Sequence, residues 1–130
     1  MDTVREYWRA SDEGDWEAAG RCIGAGYVWI DHATGVVART ADELQEALVD
    51  AQAWSNTQFK IENAYETADG TVIVQAVQSC NITGSWRSME THGQGVCFPL
   101  CTIFKFDSEN KIVHEETYYD MLSVRRQLGY

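Results

Sequence analysis

The stretch KIVHEETYYD, residues 111–120, alternates with a period of two. It places Ile112, His114, Glu116, Tyr118 and Asp120 on one face of a strand, and Val113, Glu115, Thr117 and Tyr119 on the other. The first face gathers a His, a Glu, a Tyr and an Asp, all of which can hold or move protons. Such a set suits general acid/base chemistry. Burying two carboxylates without partners is costly, so this face either lines a partly wet pocket or points to solvent. Asp120 also immediately precedes MLSVRRQL, where Met121, Val124 and Leu128 recur at helical spacing before Gly129. Asp is a favoured helix N-cap, so Asp120 reads as a cap, as an acid aimed into a cavity, or as both.

A second acid, Asp31, ends the strand-like YVWID just before the turn composition HATG, where it serves either as a turn residue or as a base. An aspartate works as a base near neutral pH when burial raises its pKa from about 3.9, and an apolar, ring-lined hollow supplies that burial. Asp120 is therefore assigned as the general acid/base, Asp31 as the second candidate, and His114 as proton partner or orienter. Tyr7, Trp29, Trp54, Trp86 and Tyr118 are assigned as walls around a flat, oxygenated ring system. Trp8 and Trp16, at helical spacing, are expected in the core, His92 on the surface, and Glu115 and Glu116 half solvated. A hydrogen-bond donor such as Tyr7, Tyr118 or His114, aimed at the substrate oxygen, would complete the site. Proton transfer of this kind requires no metal or organic cofactor, and none is expected.

These side chains must be positioned by a small scaffold. The 130 residues are the size of one domain, expected to span 1–130. Acidic residues outnumber basic ones 20 to 10, for a formal charge of -10, which argues against nucleic acid and anionic membrane surfaces as partners. No apolar run is long enough to span a bilayer and the opening MDTVREYWRASDEGDW lacks a signal-peptide core, so a cytoplasmic location is expected. Cys22, Cys80, Cys97 and Cys101 form no CxxC pair. With Cys97 and Cys101 roughly 13 Å apart on one strand, they read as free, buried small hydrophobes rather than metal ligands.

The segment from Thr3 to Ile23 carries Val4, Tyr7 and Trp8, then Trp16, Ala19 and Ile23, at helical spacings interrupted by Gly14-Asp15, which predicts a helix pair. Gly24-Ala25-Gly26 reads as a plain turn. Thr40 to Glu43 is a capping box opening a helix with Leu44, Ala47, Leu48 and Ala51 as its apolar stripe. TQFKIENAYETA and TVIVQAVQSCNITG, joined through Asp69-Gly70, have hairpin grammar. SWRSMETHGQG reads as a polar connection, followed by VCFPLCTIFKF, a turn at Asp107–Asn110, and the strand already described. Helices first and strands later make the class α+β, with a curved antiparallel sheet over the helices leaving one side concave.

KIVHEETYYDMLSVRRQLG, with the preceding GVCFPLCTIFKFDSEN, resembles the C-terminal half of SnoaL-like polyketide cyclases in the nuclear transport factor 2-like superfamily, and the order of elements extends the resemblance over the whole chain. Tyr118, Asp120 and Gln127-Leu128-Gly129 are its most specific part. The resemblance implies a cone-shaped α+β fold with a deep apolar pocket and a homodimer, with a small apolar molecule as partner. It also implies that Asp120 matches the acid/base of an intramolecular aldol closure. Tyr7 and Asp31 match in position the oxygen-binding tyrosine and the aspartate base of ketosteroid isomerases of the same fold. Thr102 stands where those isomerases carry a second, protonated aspartate. The implied function is a cofactor-free cyclase or isomerase acting on a small carbonyl compound such as a polyketide. The alternatives are a dehydratase using His32, His92 and His114, an epoxide hydrolase with Arg87 in its relay, or a non-catalytic ligand-binding or dimerisation module.

Overall fold

The computed structural model describes residues 1–49 and 54–130. Its elements run α1 (Asp2–Glu13), α2 (Trp16–Arg21), β1 (Ile23–Asp31), β2 (Val36–Ala38), α3 (Ala41–Val49), β3 (Trp54–Glu66), β4 (Val72–Trp86), β5 (Met89–Phe106), β6 (Ile112–Tyr119) and α4 (Met121–Gln127). The class is α+β: N-terminal helices and a six-stranded sheet that curves without closing, in the order β2-β1-β6-β5-β4-β3. All neighbouring strands are antiparallel except β1 and β6, which pair in parallel, so the expected wholly antiparallel sheet is corrected at this one junction.

The helix pair forms as its spacing requires. Gly14, at φ 72°, takes the left-handed conformation that ends α1, and the Asp15 carboxylate accepts the Ala18 amide to start α2. Val4, Tyr7 and Trp8 turn inward from α1; the Trp8 ring stacks on Phe59 of β3 at 4.7 Å and meets Phe104 of β5 edge-on at 5.7 Å. Thr40 accepts the Glu43 amide at 3.0 Å, as the capping box predicts, while the Glu43 carboxylate reaches back to the Arg39 amide. Leu44 is buried; the Leu48 side chain and Ala51, the rest of the expected stripe, lie outside the described residues.

Two connections expected from composition are strand. Gly24-Ala25-Gly26 lies inside β1, at a register shift against β6 between Ile23 and Val28. A side chain at Gly24 would collide with the Asp107 carboxylate and approach Lys111 and Val113 within 3.1 Å, so close strand approach, not a turn, demands glycine there. SWRSMETHGQG is likewise β4 running into β5 through the two-residue turn Arg87-Ser88, whose φ values of 50° and 65° are those of a tight hairpin. His92 is exposed on β5, as expected. All four cysteines are free, but only Cys22 and Cys80 are buried; Cys97 is exposed because its position in β5 falls on the outer face. The expectation of four buried thiols is corrected accordingly. No helix among the described residues is long and apolar enough to cross a membrane.

Candidate active site

The concave side of the sheet, roofed by α1, α2 and α3, encloses a cavity of about 400 Å³, a size suited to a small-molecule ligand. Its apolar walls include Trp8, Trp16, Trp29, Trp54, Phe59, Trp86 and Leu100, with the Trp54 and Trp86 rings edge-to-face at 5.3 Å. Tyr7, Asp31, Gln78, Thr102, Glu115, Thr117 and Tyr119 bring polar groups to it, and Asp12 and Arg87 bring charge.

The parallel junction aligns the polar core of this site. β1 pairs with β6 so that Trp29 lies beside Glu115 and Asp31 beside Thr117. By the two-residue period, Tyr27, Trp29 and Asp31 share the inner face with Glu115, Thr117 and Tyr119. Asp31 is 6% exposed. Its Oδ1 accepts the amides of Ala33 (2.9 Å) and Thr34 (3.2 Å), and its Oδ2 accepts the Tyr119 hydroxyl at 2.9 Å. The turn reading and the cavity reading of Asp31 therefore coexist: one oxygen is held by its own turn and the other faces inward. Burial, and then the Asp31 charge, hold the Tyr119 hydroxyl well above the ordinary tyrosine range, so it stays a proton donor.

Four residues before Asp31 in β1, the Tyr27 hydroxyl donates to Glu115 Oε2 at 3.2 Å and lies 2.9 Å from the Tyr7 hydroxyl. Glu115 is 4% exposed. Burial pushes its carboxyl up to about 7, against the opposing pull of hydrogen bonds from Tyr7, Tyr27 and Trp8. Burial first, and then the neighbouring Glu115, raise both tyrosines far above their ordinary range. Thr102, fully buried, pairs its hydroxyl with Thr117 at 3.1 Å.

Of the residues singled out in the sequence, Asp31, Tyr7, Trp29, Trp54 and Trp86 meet at the cavity; Asp120, His114 and Tyr118 do not line it. Asp120 is exposed, and its Oδ1 accepts the Leu122 amide at 2.9 Å, which makes it the N-cap of α4. The face carrying His114, Glu116 and Tyr118 is the outer one. Glu116 bridges His32 (3.0 Å) and His114 (2.7 Å), which hold its carboxyl below the usual range, and Tyr118, 43% exposed, stacks on His32 at 4.2 Å. From His114 onward the period of two holds but the inner face is the opposite of the one assigned, while Ile112, grouped with His114, is fully buried because the pairing with β5 shifts register between Lys105 and Phe106. Glu115, expected half solvated, is buried because β6 turns it toward α1. Glu115, Tyr27 and Tyr119 were missed as site residues; the signal available was the odd-numbered face itself, which joins an acid to a threonine and a tyrosine. Among the described residues no group of three or more His, Cys, Asp or Glu is arranged to hold a metal ion.

This architecture is the nuclear transport factor 2-like cone fold. The model of the SnoaL-like polyketide cyclase family matches residues 1–128, and the chain belongs to that family. A Shewanella putrefaciens protein provisionally described as a SnoaL-like polyketide cyclase superposes with a TM-score of 0.86 at 18% identity, covering 98% of this chain and 94% of its own. IdmH of Streptomyces antibioticus, provisionally described as a polyketide cyclase, gives 0.82 at 17% identity, covering 99% and 97%. A Catenulispora acidiphila protein with a ketosteroid isomerase-like fold, solved with trimethylamine, gives 0.79 at 24% identity, covering 98% and 92%. At these identities the likeness is one of fold. Comparison with proteins of curated function finds no match.

Proposed function

We propose that this protein is an acid/base enzyme, an aldol-type cyclase or isomerase, acting on a small apolar molecule that carries an enolisable carbonyl, such as a polyketide. The observation that carries the reading is Asp31: a buried carboxylate fixed by two backbone amides and a tyrosine hydroxyl at the wall of an aromatic cavity. Asp31 is the base that takes the proton from carbon next to the carbonyl. Tyr7, which also lines the cavity and whose hydroxyl stays protonated, is the donor to the carbonyl oxygen as it gains charge. The tryptophan walls hold a flat ring system between them and exclude water, strengthening both interactions. Membership of the SnoaL-like family supports the same class of chemistry.

The reading is tested with 2-tetralone, a flat bicyclic ketone with exchangeable protons beside its carbonyl. In deuterium oxide the protein should accelerate exchange at that carbon well above buffer, and Tyr7→Phe should slow it by about 10²- to 10³-fold. Exchange no faster than buffer in the wild type, or an undiminished rate in Tyr7→Phe, would overturn the assignment.

A further inference from the structure

The proposed mechanism uses Asp31 and Tyr7 but leaves Glu115 and Tyr27 without a part, although both are buried and hydrogen-bonded to the residue that would bind the substrate oxygen. We propose that Glu115 and Tyr27 are positioning residues that set the direction of the Tyr7 hydroxyl hydrogen, so that the cavity presents a donor when Glu115 is protonated and an acceptor when it is ionised. The proposal rests on the acid/base reading above and deepens it.

The number of hydrogens available fixes the direction of each bond in the row. An ionised carboxylate only accepts. Tyr27 must then spend its single hydrogen on Glu115 Oε2, 3.2 Å away. With that hydrogen committed, the single Tyr7 hydrogen goes to Tyr27, 2.9 Å away, or to Glu115 itself, to which Tyr7 is also hydrogen-bonded. Tyr7 is left with lone pairs toward the cavity it lines. Adding one proton to Glu115 reverses the row. The groups that bear on Glu115 are Tyr27 of β1 and Tyr7 and Trp8 of α1. Trp8 can only donate, so the new proton finds its acceptor at a tyrosine hydroxyl. Carboxyl then donates to Tyr27, Tyr27 to Tyr7, and Tyr7 into the cavity. Each oxygen keeps one hydrogen, and no bond to carbon is involved. Among the described residues no other charged side chain bears on Glu115. Its carboxyl, pushed up to about 7 by burial, puts the reversal near neutral pH.

Two ligands of one skeleton read the switch without any turnover: 2-tetralone, whose carbonyl only accepts, and 2-naphthol, whose hydroxyl also donates. Calorimetric titration between pH 5.5 and 8.5 should show the affinity ratio of tetralone to naphthol falling by about tenfold as pH rises, the worth of one hydrogen bond gained or lost. Glu115→Gln, which keeps the shape without the ionisation, should make the ratio independent of pH. Tyr27→Phe should reduce the change, because only the direct contact between Tyr7 and Glu115 then remains. A wild-type ratio that does not move, or one that moves equally in Glu115→Gln, would overturn the proposal; a shift undiminished in Tyr27→Phe would overturn the part given to Tyr27. A flat ratio alongside tyrosine-dependent exchange sinks the switch and leaves the acid/base reading standing, whereas a shifting ratio with no exchange does the reverse.

Discussion

The Tyr119 hydroxyl donates a 2.9 Å hydrogen bond to Oδ2 of Asp31, tying the last residue of β6 to the last residue of β1 inside the cavity. The parallel pairing of those two strands makes the bond possible, and it also settles the orientation of Asp120. One residue beyond Tyr119 the chain has turned to its other face, and the Asp120 carboxylate accepts the Leu122 amide in the first turn of α4.

Tyr119 is expected to orient Asp31 rather than to bind substrate. Tyr119→Phe keeps the ring packed 5.0 Å from Phe98 and removes only the donor. A hydrogen bond to a charged group contributes about 1.5–3 kcal/mol, so exchange at 2-tetralone should fall by roughly tenfold or more while ketone affinity changes little. A large loss of affinity with an unchanged rate constant would contradict the orienting role.

Asp120 is expected to matter for stability alone. Asparagine caps helices as well as aspartate, so Asp120→Asn should leave both urea midpoint and exchange rate unchanged. Asp120→Ala, which deletes the acceptor for the Leu122 amide, should cost about 1 kcal/mol in urea unfolding with the exchange rate retained.

Glu115 gives stability a pH dependence of definite sign. Its carboxyl is raised in the folded state, from 4.5 to about 7, so the folded protein holds this proton where the unfolded chain has released it. The stabilisation is fully present below about 4.5 and is lost as pH rises toward 7, amounting to about 3 kcal/mol over that window. Unfolding free energies measured at pH 5 and pH 8 should show this fall in the wild type and a smaller one in Glu115→Gln, where Asp12, also raised to about 7 by burial, still contributes; Glu115→Gln should be the more stable of the two at pH 8.

Gly24→Ala should destabilise by about 1–3 kcal/mol, because a methyl group there meets the Asp107 carboxylate and the Lys111 and Val113 side chains of the neighbouring turn and strand. Gly26→Ala, at φ 78° with open space around it, should also destabilise, through backbone conformation alone. Thermal unfolding of the two variants compares these costs directly.

Local rules made most of the scaffold legible: the Gly14-Asp15 break, the Thr40-Glu43 box and the Asp69-Gly70 hairpin all depend on residues within a few positions of one another. The errors sit where a distant partner decides. Gly24 is glycine because of Asp107 and Lys111, more than eighty residues away. Trp86 and His92 belong to strands because β4 and β5 continue pairing to Trp86 and Met89, which polar composition does not reveal. The candidate site divides in the same way. Asp31, Tyr7 and three tryptophans were legible as acid, donor and rings near element ends. Periodicity separates the faces of β6 but carries no information about which one the helices cover, so Glu115 and Tyr119 became visible only through the pairing of Trp29 with Glu115 and of Asp31 with Thr117.

The central claim is that Asp31 is the base. Its most direct test is the exchange rate of 2-tetralone in deuterium oxide for wild type, Asp31→Asn and Asp120→Asn, each at matched fold content by circular dichroism. The account predicts a loss of about 10²- to 10⁴-fold in Asp31→Asn and none in Asp120→Asn. Wild-type exchange surviving in Asp31→Asn, or lost in Asp120→Asn instead, would contradict it.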